Sequence, residues 1–232
     1  RDGDDRLASV TLFTTMTDFT DVGEINVFMD AEAGKVPAKK GMALVAGMTI
    51  TTGDQSSCVL KFADEQVIAL TANSLFKIEE YHYASKQLDQ SRSFFSLLQG
   101  GARFVSGLIA KNNRANFQVQ TTVATIGVRG TDFSVITNDQ VYTQVESGEI
   151  EVSNQAGKIP VKPQERCFIT SLSSMPVKIR EAELPIPVKK SFGGIHKIEI
   201  KSALPIIKSN PTAIDDLDSG SGKRSKPGYN LS

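Results

Sequence analysis

The sequence predicts an all-β protein, a multi-stranded sandwich or solenoid. Short runs alternate between apolar and polar residues, the period of a strand with one wet and one dry face. Turn-forming residues separate these runs at close, regular spacing, and no convincing helical period lies between them.

The elements follow in order along the chain. Cys58, Leu60 and Phe62 alternate with Ser57, Val59 and Lys61. After a turn at Ala63-Asp64-Glu65 come Ile68 and Leu70, and after Asn73-Ser74 come Phe76 and Ile78. Tyr81 to Ser91 is polar and reads as a short helical turn or a long loop. Leu108 to Arg114 reads as a polar loop, because Asn112-Asn113 favours turns. Phe117, Val119 and Thr121 alternate with Asn116, Gln118 and Gln120. From Val123 to Val128 the residues become apolar or small, which suits a segment covered on both sides.

Downstream, Phe133 to Thr137 and Gln140 to Val145 form a hairpin across Asn138-Asp139, residues that tolerate the positive φ of a tight turn. Ser147-Gly148 reads as a second turn, leading into Glu149 to Ser153 with Ile150 and Val152 facing inward. Asn154 to Gly157 then turns the chain into Lys158 to Lys162.

These patterns divide the chain into an N-terminal extension at residues 1–20, a β domain at 21–182 and a tail at 183–232. The extension either adds a strand or lies across the domain. In the tail, Pro185, Pro187, Pro205, Pro211 and Pro227 and the Ser, Gly and charge of residues 218–226 are linker chemistry, expected to be largely flexible. Within it, Ile195 to Ile200 can dock as one late strand.

Composition sets the function classes. Of 232 residues 40% are hydrophobic and none is Trp, so the core must come from Val, Ile, Leu and Phe. Lys and Arg total 26 against 26 Asp and Glu, which argues against a general grip on nucleic acid. No run approaches the ~18 apolar residues of a spanning helix. The chain begins at Arg1 rather than Met, so any signal peptide or lipid anchor would lie upstream of it. Cys58 and Cys167 sit in strand-like runs and read as buried thiols ahead of a disulfide.

Catalytic and metal chemistry is expected to be absent, with no cofactor. His82 and His196 are far apart in sequence and neither lies near a cysteine, so neither a zinc set nor a nucleophilic triad is signalled. Asp215, Asp216 and Asp218 depart from a calcium loop, with Pro227 where the closing Glu should stand. Gly220 to Arg224 lacks the first glycine and preceding strand of a phosphate loop. A carbohydrate-active enzyme would need two carboxylates roughly 5–10 Å apart in one groove.

Arg129 stands between Gly127 and Gly130 in an apolar run. Its guanidinium can grip a carboxylate or phosphate, or clamp backbone carbonyls freed where the glycines bend the chain. The small, apolar neighbours favour a buried or half-buried clamp.

The segment Phe117 to Phe133 also resembles the hallmark of the FecR family. Thr121, Ala124, Gly127, Val128, Arg129, Gly130, Thr131 and Phe133 fill its Thr-x-x-Ala-x-x-Gly-Val-Arg-Gly-Thr-x-Phe pattern. Residues 22–27, 47–54, 97–104 and 145–152 resemble further family landmarks in the right order, so the resemblance spans roughly residues 20–172. Two departures alter turns: Asp64-Glu65 stands where the family often has Asp-Gly, and Pro163-Gln164-Glu165 where a Gly usually precedes the last strand.

The resemblance implies an extracytoplasmic β domain of the bacterial envelope, periplasmic or peripheral to a membrane. In the best-known members that domain receives a signal from a TonB-dependent outer-membrane receptor and belongs to an anti-sigma regulator; other relatives are envelope proteins and lipoproteins. The cytoplasmic segment and membrane helix of the regulators are not in this sequence. The expected function is non-enzymatic binding or scaffolding of another envelope protein, with a signal-receiving domain of a regulator as the alternative. Recognition by strand addition to an open sheet edge is expected. The uncharged strand at Gln118 and Gln120 suits such an edge, whereas Glu146, Glu149 and Glu151 would blunt one.

Overall fold

The computed structural model describes residues 8–11, 24–29, 34–39, 42–198 and 200. Their dominant element is the strand, as the two-residue period requires. The strands are β1 (Ala8–Thr11), β2 (Ile25–Phe28), β3 (Val36–Pro37), β4 (Ala43–Leu44), β5 (Thr49–Thr52), β6 (Cys58–Phe62), β7 (Val67–Leu70) and β8 (Leu75–His82). There follow β9 (Arg92–Val105), β10 (Phe117–Gln120), β11 (Thr125–Thr137), β12 (Val141–Asn154), β13 (Gly157–Val161), β14 (Arg166–Ile169) and β15 (Val177–Ile179). All belong to one sheet, with the long strands β9, β11 and β12 at its centre. Among the described residues only β9 and β10 pair in parallel, Phe117 opposite Ser93.

The long strands change partners along their length, and this wraps the sheet around a single core. The first half of β9 pairs with β8, the second with β7 and β11. The change falls at Gly100, whose φ is +89°. Inward side chains from nearly every strand meet in one cluster. Its spine is aromatic: Phe62 and Phe76 each lie 5.3 Å from Phe95, Phe95 lies 5.8 Å from Phe117, and Phe104 stacks on Phe133 at 5.0 Å. Such ring pairs add about 0.5–1.5 kcal/mol each beyond the area they bury. Cys58 and Cys167 are free, buried thiols in this core, and burial pushes both up to about 12.

Several sequence expectations are corrected. Ser147-Gly148 is not a hairpin turn: β12 runs unbroken through it, and Gly148 marks a bulge opposite Arg129 to Asp132. The loop between β11 and β12 holds three residues rather than two, closed by the Asn138 and Gln140 backbone and by the Asn138 carboxamide. Residues 123–128 alternate buried and half-buried, so only one face is covered. Ala8–Thr11 takes the extra-strand option, pairing with β4 and β6; the rest of the extension lies outside the described residues.

Leu108 to Arg114 was expected as a loop, yet Leu108–Asn112 is a helical turn, α1. Its cause is remote in sequence. The Asp64 carbonyl accepts from the Leu108 N–H at 2.8 Å and the Asp64 carboxylate from the Ile109 N–H at 3.3 Å, filling donors a helix start leaves open.

The stretch Ile186–Lys197 is a helix, α2, rather than linker followed by a strand at 195–200. Proline is tolerated in a first helical turn, where its missing N–H has no partner to lose. Val188, Phe192 and Ile195 recur at i, i+4 and i+7 and are buried on the outer face of the sheet against Ile136 and Tyr142, with Phe168 and Ile179 beside them. Ile198 then covers Val59 and Ala69. The remaining tail expectations, including residues 201–232, lie outside the described residues.

Candidate functional site

The hallmark segment is built as a scaffold. Thr121 closes the turn into β11: its hydroxyl donates to the Ala124 carbonyl at 2.9 Å and accepts from the Ala124 N–H at 3.0 Å. Ala124, Val128 and Phe133 are buried in the core. At the bulge Gly130 has φ +56° and Gly148 φ +76°, and a β-carbon on Gly148 would collide with the Gly130 carbonyl and with Thr131. Ser106 ties this crossing to β9, its hydroxyl accepting from the Thr131 N–H at 2.6 Å while its own N–H donates to the Thr131 carbonyl at 2.9 Å. Gly127, in contrast, has no positive φ and open space where its β-carbon would lie.

Arg129 is exposed, which overturns the buried-clamp expectation. After Val128 the alternation carries its side chain to the outer face, opposite Glu149. The ionic clamp of this region is Arg103, which grips Asp132 through a two-point fork, Nε to Oδ1 at 2.8 Å and a terminal nitrogen to Oδ2 at 2.6 Å. Both side chains are about one-fifth exposed, at 19% and 21%. The hydrogen bond with Asp132 raises the Arg103 pKa further. Sequence reasoning missed this pair because its partners lie far apart in the chain and meet only through the β9–β11 register.

A second buried polar group centres on Asp64. Beside its contacts with α1, its carboxylate accepts from the Tyr81 hydroxyl at 3.2 Å and the Gln66 N–H at 3.4 Å. Burial raises the Asp64 pKa, opposed by these hydrogen bonds, and burial also raises that of Tyr81. Every carboxylate contact here is satisfied within the fold, so the group fixes α1 to the sheet.

The expected Gln118 edge does not exist, because β10 lies between β9 and β11 with partners on both sides. Among the described residues the outermost strands are β3, β4, β13 and β15. Pro37 lies in β3 and Pro160 in β13, and proline removes a donor and blunts an edge. β15 contains no proline, pairs only with β14, and exposes Val177 at 46% beside Met175 and Leu172. Lys178 on β15 pairs with Glu165 at 2.7 Å, and this contact lowers the Glu165 pKa. Two shallow cavities, about 210 and 390 Å³, flank the Arg166–Glu181 ion pair next to this edge. His196 sits at the first of them with its Nε2 3.3 Å from Glu146, while His82 lies on β8, so the two histidines do not meet. Among the described residues no group of three or more His, Cys, Asp or Glu side chains converges as metal ligands would.

Residues 48–151 match the family model described as FecR protein. The match begins beside β5 and ends within β12, so it contains the whole hallmark segment and the bulge. Two crystal structures of a candidate anti-sigma factor from Parabacteroides distasonis ATCC 8503, at 1.65 and 2.50 Å resolution, resemble the chain with 18% identity and TM-scores of 0.45 and 0.47. Each likeness covers 57% of this chain and 59% of that protein, so the chain spans less than two thirds of its length. No curated protein matches the chain significantly. No helix among the described residues is long and apolar enough to cross a membrane.

Proposed function

We propose that this chain is a non-enzymatic, extracytoplasmic recognition module of the FecR type, binding an extended segment of another envelope protein along the open edge of β15. The observation that carries the reading is the FecR domain at residues 48–151, with its hallmark strand spent on internal pairing. Recognition then falls to the periphery. There the outer side of β15, unpaired among the described residues, offers backbone groups and the exposed Val177, with Lys178, now paired with Glu165, able to turn to an acidic residue on the incoming strand. The family match favours placing this module in the periplasm as the receiving domain of a regulator rather than in a free-standing scaffold.

Phage-displayed random 12-residue peptides selected on the full chain test the edge. Selected peptides should slow amide exchange at residues 177–179 and lose binding to the Lys178→Pro variant, which removes a donor from the middle of the strand. Protection confined to another surface, or undiminished binding by a folded Lys178→Pro variant, would overturn it.

A further inference from the structure

We propose that the outer face of β9, β11, β12 and β14 is a helix-docking groove, filled here by α2, from which an amphipathic helix of a partner displaces it. The groove is floored by Ile136, Tyr142 and Phe168, and Gly101 on β9 permits close approach: a β-carbon there would crowd Ile136 and stand 3.2 Å from Ile195. This apolar cluster is separate from the main core. Lifting the helix therefore leaves the aromatic spine of the sheet intact.

The helix is weakly built for its position. Gly193 and Gly194 are consecutive near its end, both exposed, and β-carbons on them would meet nothing within 4 Å. No packing demand explains them, and each lowers helix formation roughly fivefold against alanine. Its start has no side-chain cap and no acidic residue in the first turn. A shallow cavity of about 210 Å³ runs along its flank between Phe192, Lys189, Leu184 and Arg166. Three buried anchors and the His196–Glu146 contact hold it.

These features define the occupant. A partner helix with apolar residues at i, i+4 and i+7, free of internal glycine, would match the groove as α2 does and be a better helix. A glycine-free peptide copy of residues 184–198 supplies that chemistry as a probe. This groove is a different surface from the open edge of β15, although Ile179 of that strand packs against the same cluster, and failure of helix binding would leave the edge proposal standing.

The test uses the full chain and a fluorescein-labelled peptide of residues 184–198 carrying alanine in place of both glycines. Saturable binding to the parent is expected. In the Gly193→Ala/Gly194→Ala chain, binding should weaken by roughly twentyfold and amide exchange of α2 should slow by a similar factor, because the internal helix competes better. The Phe192→Ala chain should bind the peptide more tightly than the parent. The absence of saturable binding, or equal affinity for parent and double-alanine chains, would overturn the proposal. A folded Phe192→Ala chain with unimproved binding would do the same.

Discussion

Gly148 on β12 lies against the carbonyl of Gly130 on β11, with no room for a β-carbon between them. The two long strands cross at this point, and the bulge that lets them cross requires glycine for two separate reasons: backbone conformation at both positions and contact distance at Gly148. Gly148→Ala should cost on the order of 3 kcal/mol, combining left-handed strain with a backbone overlap. Gly127→Ala, three residues before Gly130 in the same motif, should be neutral or stabilising by up to ~1 kcal/mol, since its site is open and extended. Urea denaturation of both variants checks the contrast. Equal effects would mean the bulge is not the constraint.

Arginine chemistry gives a second contrast. Arg103→Ala removes one half of a two-point, mostly buried pair and leaves Asp132 behind, which should cost about 1–3 kcal/mol. Arg129→Ala removes an exposed side chain and should change stability by less than ~0.5 kcal/mol. Thermal unfolding distinguishes them. A strongly destabilised Arg129 variant would restore the clamp reading that its exposure contradicts.

Strand period is local, so β6, β8, β10 and the second half of β11 were legible from alternation alone, and the motif pointed to the domain. The bulge was not: Ser147-Gly148 has the composition of a hairpin turn, and only the register of β11 against β12 shows one strand passing through it. Arg129 was misplaced because its apolar, glycine-flanked neighbours outweighed the alternation of Ala124, Ile126 and Val128, which by itself turns the next residue outward. Helix α1 was hidden because its cap, Asp64, is supplied from a distant loop. Helix α2 was hidden because prolines and paired glycines mask an i, i+4, i+7 stripe that is short and weak. At the candidate interface, edge status depends on the pairing of every other strand, so the Gln118 segment was assigned outward while β10 is interior.

Asp64 predicts a pH signature. Burial raises its folded pKa above the ordinary value of 3.8. As pH rises, the unfolded state releases this proton first, so this group's contribution to folding weakens between 3.8 and the raised folded value. Asp64→Asn should be destabilised relative to the parent, because its carboxamide keeps only one of the two oxygens that accept from Ile109 and Gln66, but it carries no such proton release. The gap in melting temperature between parent and variant should therefore narrow as pH rises above 3.8. A gap that widens over that range would mean the carboxylate is stabilised, not penalised, by its surroundings.

The two places where the chain departs from glycine in the family pattern both adopt glycine-like backbone. Glu65 has φ +72° and Gln164 has φ +68°. Each is exposed, so its side chain gains little packing to offset a left-handed conformation that costs a non-glycine residue about 1–2 kcal/mol. Glycine relieves that strain but gives back roughly 0.5–1 kcal/mol through the freedom it adds to the unfolded chain. The Glu65 side chain also lies in the tight turn between β6 and β7, where the Glu65 N–H donates to the Phe62 carbonyl at 3.1 Å whichever residue is present. Glu65→Gly should thus stabilise by a few tenths to about 1 kcal/mol, while Glu65→Val, branched at Cβ, should destabilise by more than 1 kcal/mol. Gln164→Gly should be smaller in effect, because the Glu165 carboxylate already braces that turn by accepting from the Lys162 N–H at 2.8 Å. Guanidinium denaturation of the three variants gives the order. Destabilisation by Glu65→Gly with Glu65→Val neutral would show that the turn is not strained and that the glutamate contributes through its side chain.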